Sequence, residues 1–192
     1  MTRYSSWHFP ICQKLGLYAL LRTSFGSASS LALWHAVAGA VGAIFYTEAF
    51  STRDIDFLAT LPHRMDPLGP IRDWLRAQGH KAQFTPDGEI MIGIWPVHFL
   101  PTEDAFSSEA LAKAGYLPYE QGVNVRVVLP EYLAAEAVKL GRPKDVQRVA
   151  MLMEVDEFDP DRFDDLINRF GLQAKWEKMR TRLGEDESSV SP

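Results

Sequence analysis

Within the segment Phe50 to Leu61, FSTRDIDFLATL, two carboxylates stand one residue apart at Asp54 and Asp56, set in an otherwise apolar run. A strand sends residues i and i+2 to the same face, so the two acids would lie side by side while Ile55 and Phe57 turn to the core. Like charges that close repel. Three arrangements relieve the repulsion: one carboxyl keeps its proton, a basic side chain such as the neighbouring Arg53 answers the charge, or a divalent cation binds both acids. The first two would make the pair the end of an ordinary surface strand, whereas the third is a catalytic or binding site.

Upstream, Leu31 to Ala38 reads as a strand that turns at Gly39 into a tightly packed helix reaching Tyr46, where the small residues Ala40, Gly42 and Ala43 permit close backbone approach. Strand, small-residue turn, helix and then a strand carrying Asp-x-Asp is a phosphate-handling order. Backbone N–H groups at a helix start attract phosphate oxygens, and adjacent carboxylates hold the divalent cation that bridges them. In this reading the Gly39 backbone faces a nucleoside triphosphate, and Asp54 and Asp56 hold Mg2+ or Mn2+. Other chemistry finds no support: His8, His35, His63 and His80 lack metal-ligand spacing, and the chain has neither a P-loop nor a serine elbow. Trp34, Trp74, Trp95 and Trp176 sit among apolar neighbours and read as core, as do Phe158, Phe163 and Phe170.

The elements that must position these residues alternate. After the Asp-x-Asp strand, Pro67 to Gly79 is an amphipathic helix with Ile71, Trp74 and Leu75 inward. Short strands follow at Lys81 to Thr85 and Glu89 to Ile94 around the turn Pro86-Asp87-Gly88, then Trp95 to Leu100. A short helix at Glu109 to Ala114 and a strand at Val123 to Val128 precede a helical remainder: Pro130 to Lys139 with a stop at Gly141, Lys144 to Met153, a helix opened by Asp159-Pro160 and ending near Phe170, and Lys175 to Leu183. The fold class is therefore α/β (α+β), a mixed sheet followed by a helical part. The expected division is an N-terminal extension at 1–29, the α/β core at 30–128, the helices at 129–183 and a disordered acidic tail at 184–192.

At 192 residues and 46% hydrophobic content the chain can bury a core and fold as a soluble globule. A net charge of −5 excludes coating nucleic acid by charge alone, so any RNA or DNA contact must be local. Residues 1–47 hold Arg3, Lys14 and Arg22 and no acid, which puts +3 there and −8 on the rest. The apolar run Leu31 to Tyr46 is shorter than the ~20 residues of a membrane helix and holds two glycines, so no membrane partner is expected. Cys12 is the single cysteine, which fits a reducing compartment, with the cytoplasm as default.

The stretch WHAVAGAVGAIFYTEAFSTRDIDFLATLP resembles the core of the polymerase-β-like nucleotidyltransferases. The stretch PEYLAAEAVKLGRPKDVQRVAMLMEVDEFDPDRFDDLINRFGLQAKW resembles the helical part of their AbiEii-like toxin branch. The resemblance implies that Ala38 and Gly39 take the places of the family's paired glycines, so a methyl group stands at the first. It implies that Asp54 and Asp56 bind the metal, and that Lys139 reaches the nucleotide phosphates. Lys144-Asp145 continues that pattern, with Arg53, Arg142 and Lys144 as further nucleotide contacts. The family's third carboxylate falls on His98 in WPVHFLP, followed by Glu103 and Asp104, while Arg148 stands where relatives often carry an acid. A neutral imidazole can ligate manganese or act as a general base, its ordinary pKa lying near ~6.5.

The implied activity is metal-dependent transfer of a nucleoside monophosphate from a nucleoside triphosphate to a hydroxyl on RNA, such as tRNA, or on protein, held in check by an antitoxin partner. Two rivals stand beside it. One is a catalytically silent relative that binds nucleotide or a protein partner, favoured by Ala38 and His98; the other is a plain interaction module.

Overall fold

A computed structural model describes residues 34–188 apart from 49–51, 64, 78, 87–88, 93 and 120–123. The N-terminal extension with His8 and Cys12, positions 31–33, the Asp87-Gly88 turn, Val123 and the end of the acidic tail lie outside the described residues. Within them, the fold is a mixed seven-stranded sheet with helices on both faces.

The centre of the sheet is β1 (His35–Ala38) against β2 (Ile55–Ala59), antiparallel, with Val37 opposite Phe57 and Ala38 opposite Asp56. Helix α1 (Gly39–Ile44) follows β1 directly, and α2 (Gly69–Ala77) follows β2. Next come β3 (Ala82–Phe84), β4 (Ile90–Ile92) and β5 (Trp95–Pro101), an antiparallel run whose last strand lies parallel to β2. After α3 (Ala105–Lys113) the hairpin of β6 (Gly115–Pro118) and β7 (Asn124–Val127) adds to the far side of β1, giving the order β3-β4-β5-β2-β1-β7-β6. Four helices complete the chain: α4 (Pro130–Leu140), α5 (Pro143–Met153), α6 (Pro160–Arg169) and α7 (Gln173–Ser188).

Period-two alternation divides the core. Ile55, Phe57 and Ala59 join Val37, Val97 and Phe99 on one face, where Ile71 and Leu75 of α2 are wholly buried. Each such side chain contributes roughly 2 kcal/mol of apolar burial. On the other face, Ala36, Ala38 and the half-buried Leu58 pack under α3 to α7 through Phe106, Leu133, Val149, Leu152 and Leu166. The helix-facing side of β2 is thus the side that carries Asp56.

The helical part is fixed by caps and buried charge. Pro130 opens α4 and Gly141 ends it in the left-handed conformation at φ 64°, while Lys175 and Arg182 of α7 donate to the exposed carbonyls of Lys139 and Gly141 at 2.6 and 3.3 Å. Glu131 is fully buried and accepts from the Asp159 backbone at 2.8 Å and from Arg162 at 3.0 Å, which ties α4 to the start of α6.

Four expectations need correction. The strand β6 carries no strong strand signal, since Gly115 and Pro118 bound it, yet it forms by pairing with β7. Helix α3 begins at Ala105 rather than Glu109, because Asp104 caps it by accepting from the Ser107 N–H at 2.7 Å. Helix α7 continues past Leu183 to Ser188. Trp34 is 57% exposed and lies over the Arg126 guanidinium instead of filling the core. Trp176 and the three phenylalanines do pack in the helical cluster. None of the helices among the described residues is long and apolar enough to cross a membrane.

One clamp across this layer is open to titration. Glu109 on α3 accepts both fork nitrogens of Arg169 on α6, at 2.7 and 2.9 Å, and the hydroxyl of Tyr132 on α4. Arg169 and then Tyr132 hold the Glu109 carboxyl down at about 2. A depressed carboxylate contributes stability that is complete above its unfolded value near 4.5 and is lost as pH falls towards 2. Glu109→Gln should therefore lower stability by about 1 kcal/mol at pH 7, the exposed part of the pair being solvent-screened. That difference should shrink in melting curves taken from pH 4.5 downwards; a gap constant down to pH 2 would mean the carboxylate is not what holds α3 to α6.

Candidate active site

The site begins at the β1–α1 turn. Ala38 is extended, with φ −129° and ψ −165°, a conformation any residue adopts, so the methyl group there is accommodated. The conformational demand falls on Gly39, at φ 58°. A Cβ on Gly39 would also stand 2.0 Å from the Asp56 Oδ2, so the carboxylate of Asp56 occupies the space that any side chain would need. The acid on β2 therefore rests directly against the glycine turn.

Asp56 is the centre of a row that crosses the sheet. In register, Ala38 of β1 faces Asp56 of β2, and Asp56 faces His98 of β5. Glu89 stands one step beyond the Ile90–Val97 pair between β4 and β5 and so comes opposite His98. The side chains connect along this row: His98 Nδ1 lies 2.9 Å from Asp56 Oδ1 and His98 Nε2 lies 2.6 Å from Glu89 Oε1. A ring set between two carboxylates is arranged for both nitrogens to donate, which is the imidazolium form. Burial works against that charge, yet the hydrogen bonds from Glu89 and Asp56 outweigh it and raise the His98 pKa above its ordinary value. Asp56 is also raised, first by burial and then by the Asp54 charge beside it, with His98 pulling the other way.

Asp54 lies just before β2 and is oriented by Thr52, whose Oγ1 donates to its Oδ1 at 2.9 Å. One donor atom each from Asp54, Asp56 and His98 falls within 4.8 Å of the others. The two carboxylate oxygens, half-buried and convergent, fit a hard divalent ion, with manganese suited as well as magnesium; His98 can add a ligand only as the neutral imidazole.

Two clefts open from this centre. One, about 460 Å³, runs between the sheet and the helices over Leu58, Leu100, Phe106, Tyr132 and Leu133. The other, about 470 Å³, lies on the far side of Asp54 and is lined by Thr52, Arg53, Lys144, Gln147 and Arg148. Asp54, Lys144 and Arg148 border both.

The remaining sequence candidates divide. Arg53 and Lys144 line the cationic cleft. Lys139 reaches the cleft over Phe106, where its ammonium sits 3.4 Å from Glu136, 3.7 Å from Asp104 and 5.3 Å above the Phe106 ring. Arg142 borders the same cleft, but its guanidinium is engaged with the buried Asp145, donating at 2.7 and 3.0 Å as the cap of α5. Glu103 is exposed beside α3 and borders neither cleft. Glu89 is the residue that reading the chain missed. Its signal was the hairpin count: the Ile92–Trp95 pair places 89 opposite 98.

No family model matches the chain, and no curated protein matches it in sequence. Solved structures do. An antigenic nucleotidyltransferase-like protein from Paracoccidioides brasiliensis superposes with a TM-score of 0.56 at 13% identity, covering 88% of this chain and 89% of that one. ANT(2'')-Ia in complex with adenylyl-2''-tobramycin superposes at 0.52 and 15% identity, over 84% of this chain and 99% of its own. At such identities the likeness establishes architecture: the mixed sheet and its trailing helices form a nucleotidyltransferase fold.

Proposed function

We propose that the protein transfers a nucleoside monophosphate from a nucleoside triphosphate to a hydroxyl acceptor, releasing pyrophosphate. The observation that carries the proposal is the convergence of Asp54, Asp56 and His98 against the Gly39 turn. Asp54 and Asp56 would hold Mg2+ or Mn2+. When bound, the ion neutralises the acidic pair and polarises the α-phosphate.

The chain's own residues do the rest. Thr52 fixes the Asp54 carboxylate, and the bare Gly39 Cα leaves Asp56 its place. With the Asp56 carboxylate given over to ion binding, Glu89 continues to accept from His98 Nε2–H and so leaves Nδ1 with its lone pair towards the centre. The acceptor oxygen attacks the α-phosphorus and its proton passes to His98 Nδ1. The bond from that phosphorus to the oxygen bridging to the β-phosphate breaks, and its electron pair leaves with pyrophosphate. The Glu89–His98 pair thus stands in for the third carboxylate that β5 does not supply.

The AbiEii-like character of the helical sequence extends the proposal to an RNA or protein acceptor, an antitoxin partner and a cytoplasmic setting. A second reading rests on one observation: His98 bridges Asp56 and Glu89 by hydrogen bonds at 2.9 and 2.6 Å, which ties up the groups that catalysis would use. A silent binder of that kind would show a nucleotide-dependent thermal shift with no pyrophosphate release.

Two variants test the chemistry. Because the Asp56 pKa is raised in the fold, its ionised form opposes stability as pH rises through that value. Asp56→Asn should abolish pyrophosphate release while leaving the melting temperature at pH 7.5 unchanged or a few degrees higher; a variant with full turnover would remove the metal site. Glu89→Gln keeps the shape and removes the charge behind His98. Its kcat should fall about 10- to 100-fold with little change in KM for the triphosphate, and an unaltered kcat would leave Glu89 without a part in the reaction.

A further inference from the structure

The sheet leaves one apolar stretch uncovered, and that stretch adjoins the Asp56–His98 pair. Leu58 stands two residues beyond Asp56 on β2, Leu100 stands two beyond His98 on β5, and the two leucines are register partners. They share the face of Asp56 and His98, displaced along the strands by about 7 Å. On the opposite face of the same strands Ile55, Phe57, Val97 and Phe99 are all buried, whereas Leu58 is only half-buried and Leu100 is 40% exposed. Both strands have a neighbour on either side, so the exposure is not that of a sheet edge.

Leu58 and Leu100 belong to the cleft of about 460 Å³, which Phe106 of α3 and Leu133 of α4 border from the helical side. An apolar hollow rimmed by polar groups marks a ligand site. This volume suits a small molecule or one inserted side chain, not the face of a nucleic acid. At its rim Lys139 is answered by Asp104 and Glu136, so the charges there need no partner from a ligand. The other cleft, with Thr52, Arg53 and Gln147, has no leucine or aromatic side chain in its wall and suits the charged end of a triphosphate. The apolar cleft is left to the second substrate.

Resting on the nucleotidyl-transfer reading, we propose that the acceptor is an aryl hydroxyl, on a free phenol or on a tyrosine side chain, with its ring over Leu58 and Leu100 and its oxygen at the Asp56–His98 end. A flat apolar body with one polar tip is the shape that an apolar slot ending at a histidine can orient. Its proton is also the easier one for an imidazole to take, since the ordinary pKa of a phenol is about 10, far below that of an aliphatic or ribose hydroxyl. The phenolic oxygen forms the bond to the α-phosphorus and its proton passes to His98 Nδ1. The bond to the bridging oxygen breaks, and its electron pair leaves with pyrophosphate. The product is an aryl ester of the nucleoside monophosphate, and Leu58 and Leu100 determine the specificity for it.

The test offers para-ethylphenol, N-acetyltyrosine amide, cyclohexanol, benzyl alcohol and total RNA in turn to the full chain with each nucleoside triphosphate and Mn2+, and follows pyrophosphate release and product mass. The phenols should react at least about 10-fold faster than the alcohols, and the faster of the two phenols tells a free ring from one carried on a protein. Leu100→Asp should lower kcat/KM for the preferred phenol about 10-fold with KM for the triphosphate unchanged. Leu58→Ala should turn the preference towards the bulkier beta-naphthol, which a leucine of purely structural importance would not do. Without triphosphate or metal, saturation-transfer NMR should show para-ethylphenol bound to the parent chain and lost from Leu100→Asp. Transfer to RNA or to the alcohols with none to the phenols, or a phenol that competes with the triphosphate, overturns the aryl acceptor and leaves the transfer reading standing. No pyrophosphate release with any acceptor removes the transfer reading, and the aryl acceptor with it. If Leu100→Asp does not fold, Leu58→Ala decides: an unchanged ratio of naphthol to phenol overturns the assignment, and a shift supports it.

Discussion

The site depends on a single steric fact: the Asp56 carboxylate lies where a Cβ of residue 39 would be, 2.0 Å from its ideal position. That contact requires glycine at the turn for space as well as for its φ of 58°. It brings the acidic strand against the start of α1 and lets the row continue across β5 to His98 and across β4 to Glu89. Were residue 39 any other type, β1 and β2 could still pair, but Asp56 would have to leave the face on which His98 waits.

Around that contact the charges are arranged in opposition. The sheet contributes acids, Asp54, Asp56 and Glu89, with His98 between two of them. The first turns of α5 contribute cations, Arg142, Lys144 and Arg148, of which Arg142 is committed to Asp145. A half-buried acid whose pKa is raised is a group held at some expense to stability, and such groups concentrate where chemistry needs them. The apolar cleft over Phe106 and Leu133 and the cationic cleft beside Arg53 then offer two unlike environments on either side of one acidic centre.

What could be read from the chain was local. Alternation in Ile55-Asp56-Phe57 fixes which face the acids take, and a glycine before a run of small residues marks the turn; both are set by neighbours in sequence. The helix boundaries at Pro130, Gly141 and Asp159-Pro160 were likewise legible because caps act within one turn. The rest needed partners from afar. Glu89 reaches His98 only through the β4–β5 register, and β6 exists only because β7 is there to pair with. The Asp104 and Glu136 carboxylates beside Lys139, and the buried Asp145 that Arg142 caps, likewise come from packing and not from spacing.

The most direct measurement is anomalous diffraction from crystals grown with Mn2+ and a non-hydrolysable nucleoside triphosphate analogue. The proposed site predicts a single strong peak coordinated by the Asp54 and Asp56 carboxylates, with the His98 Nδ1 released from Asp56 and Nε2 still on Glu89. Ordered nucleotide with no manganese at the two acids, and His98 still bridging Asp56 and Glu89, would contradict it.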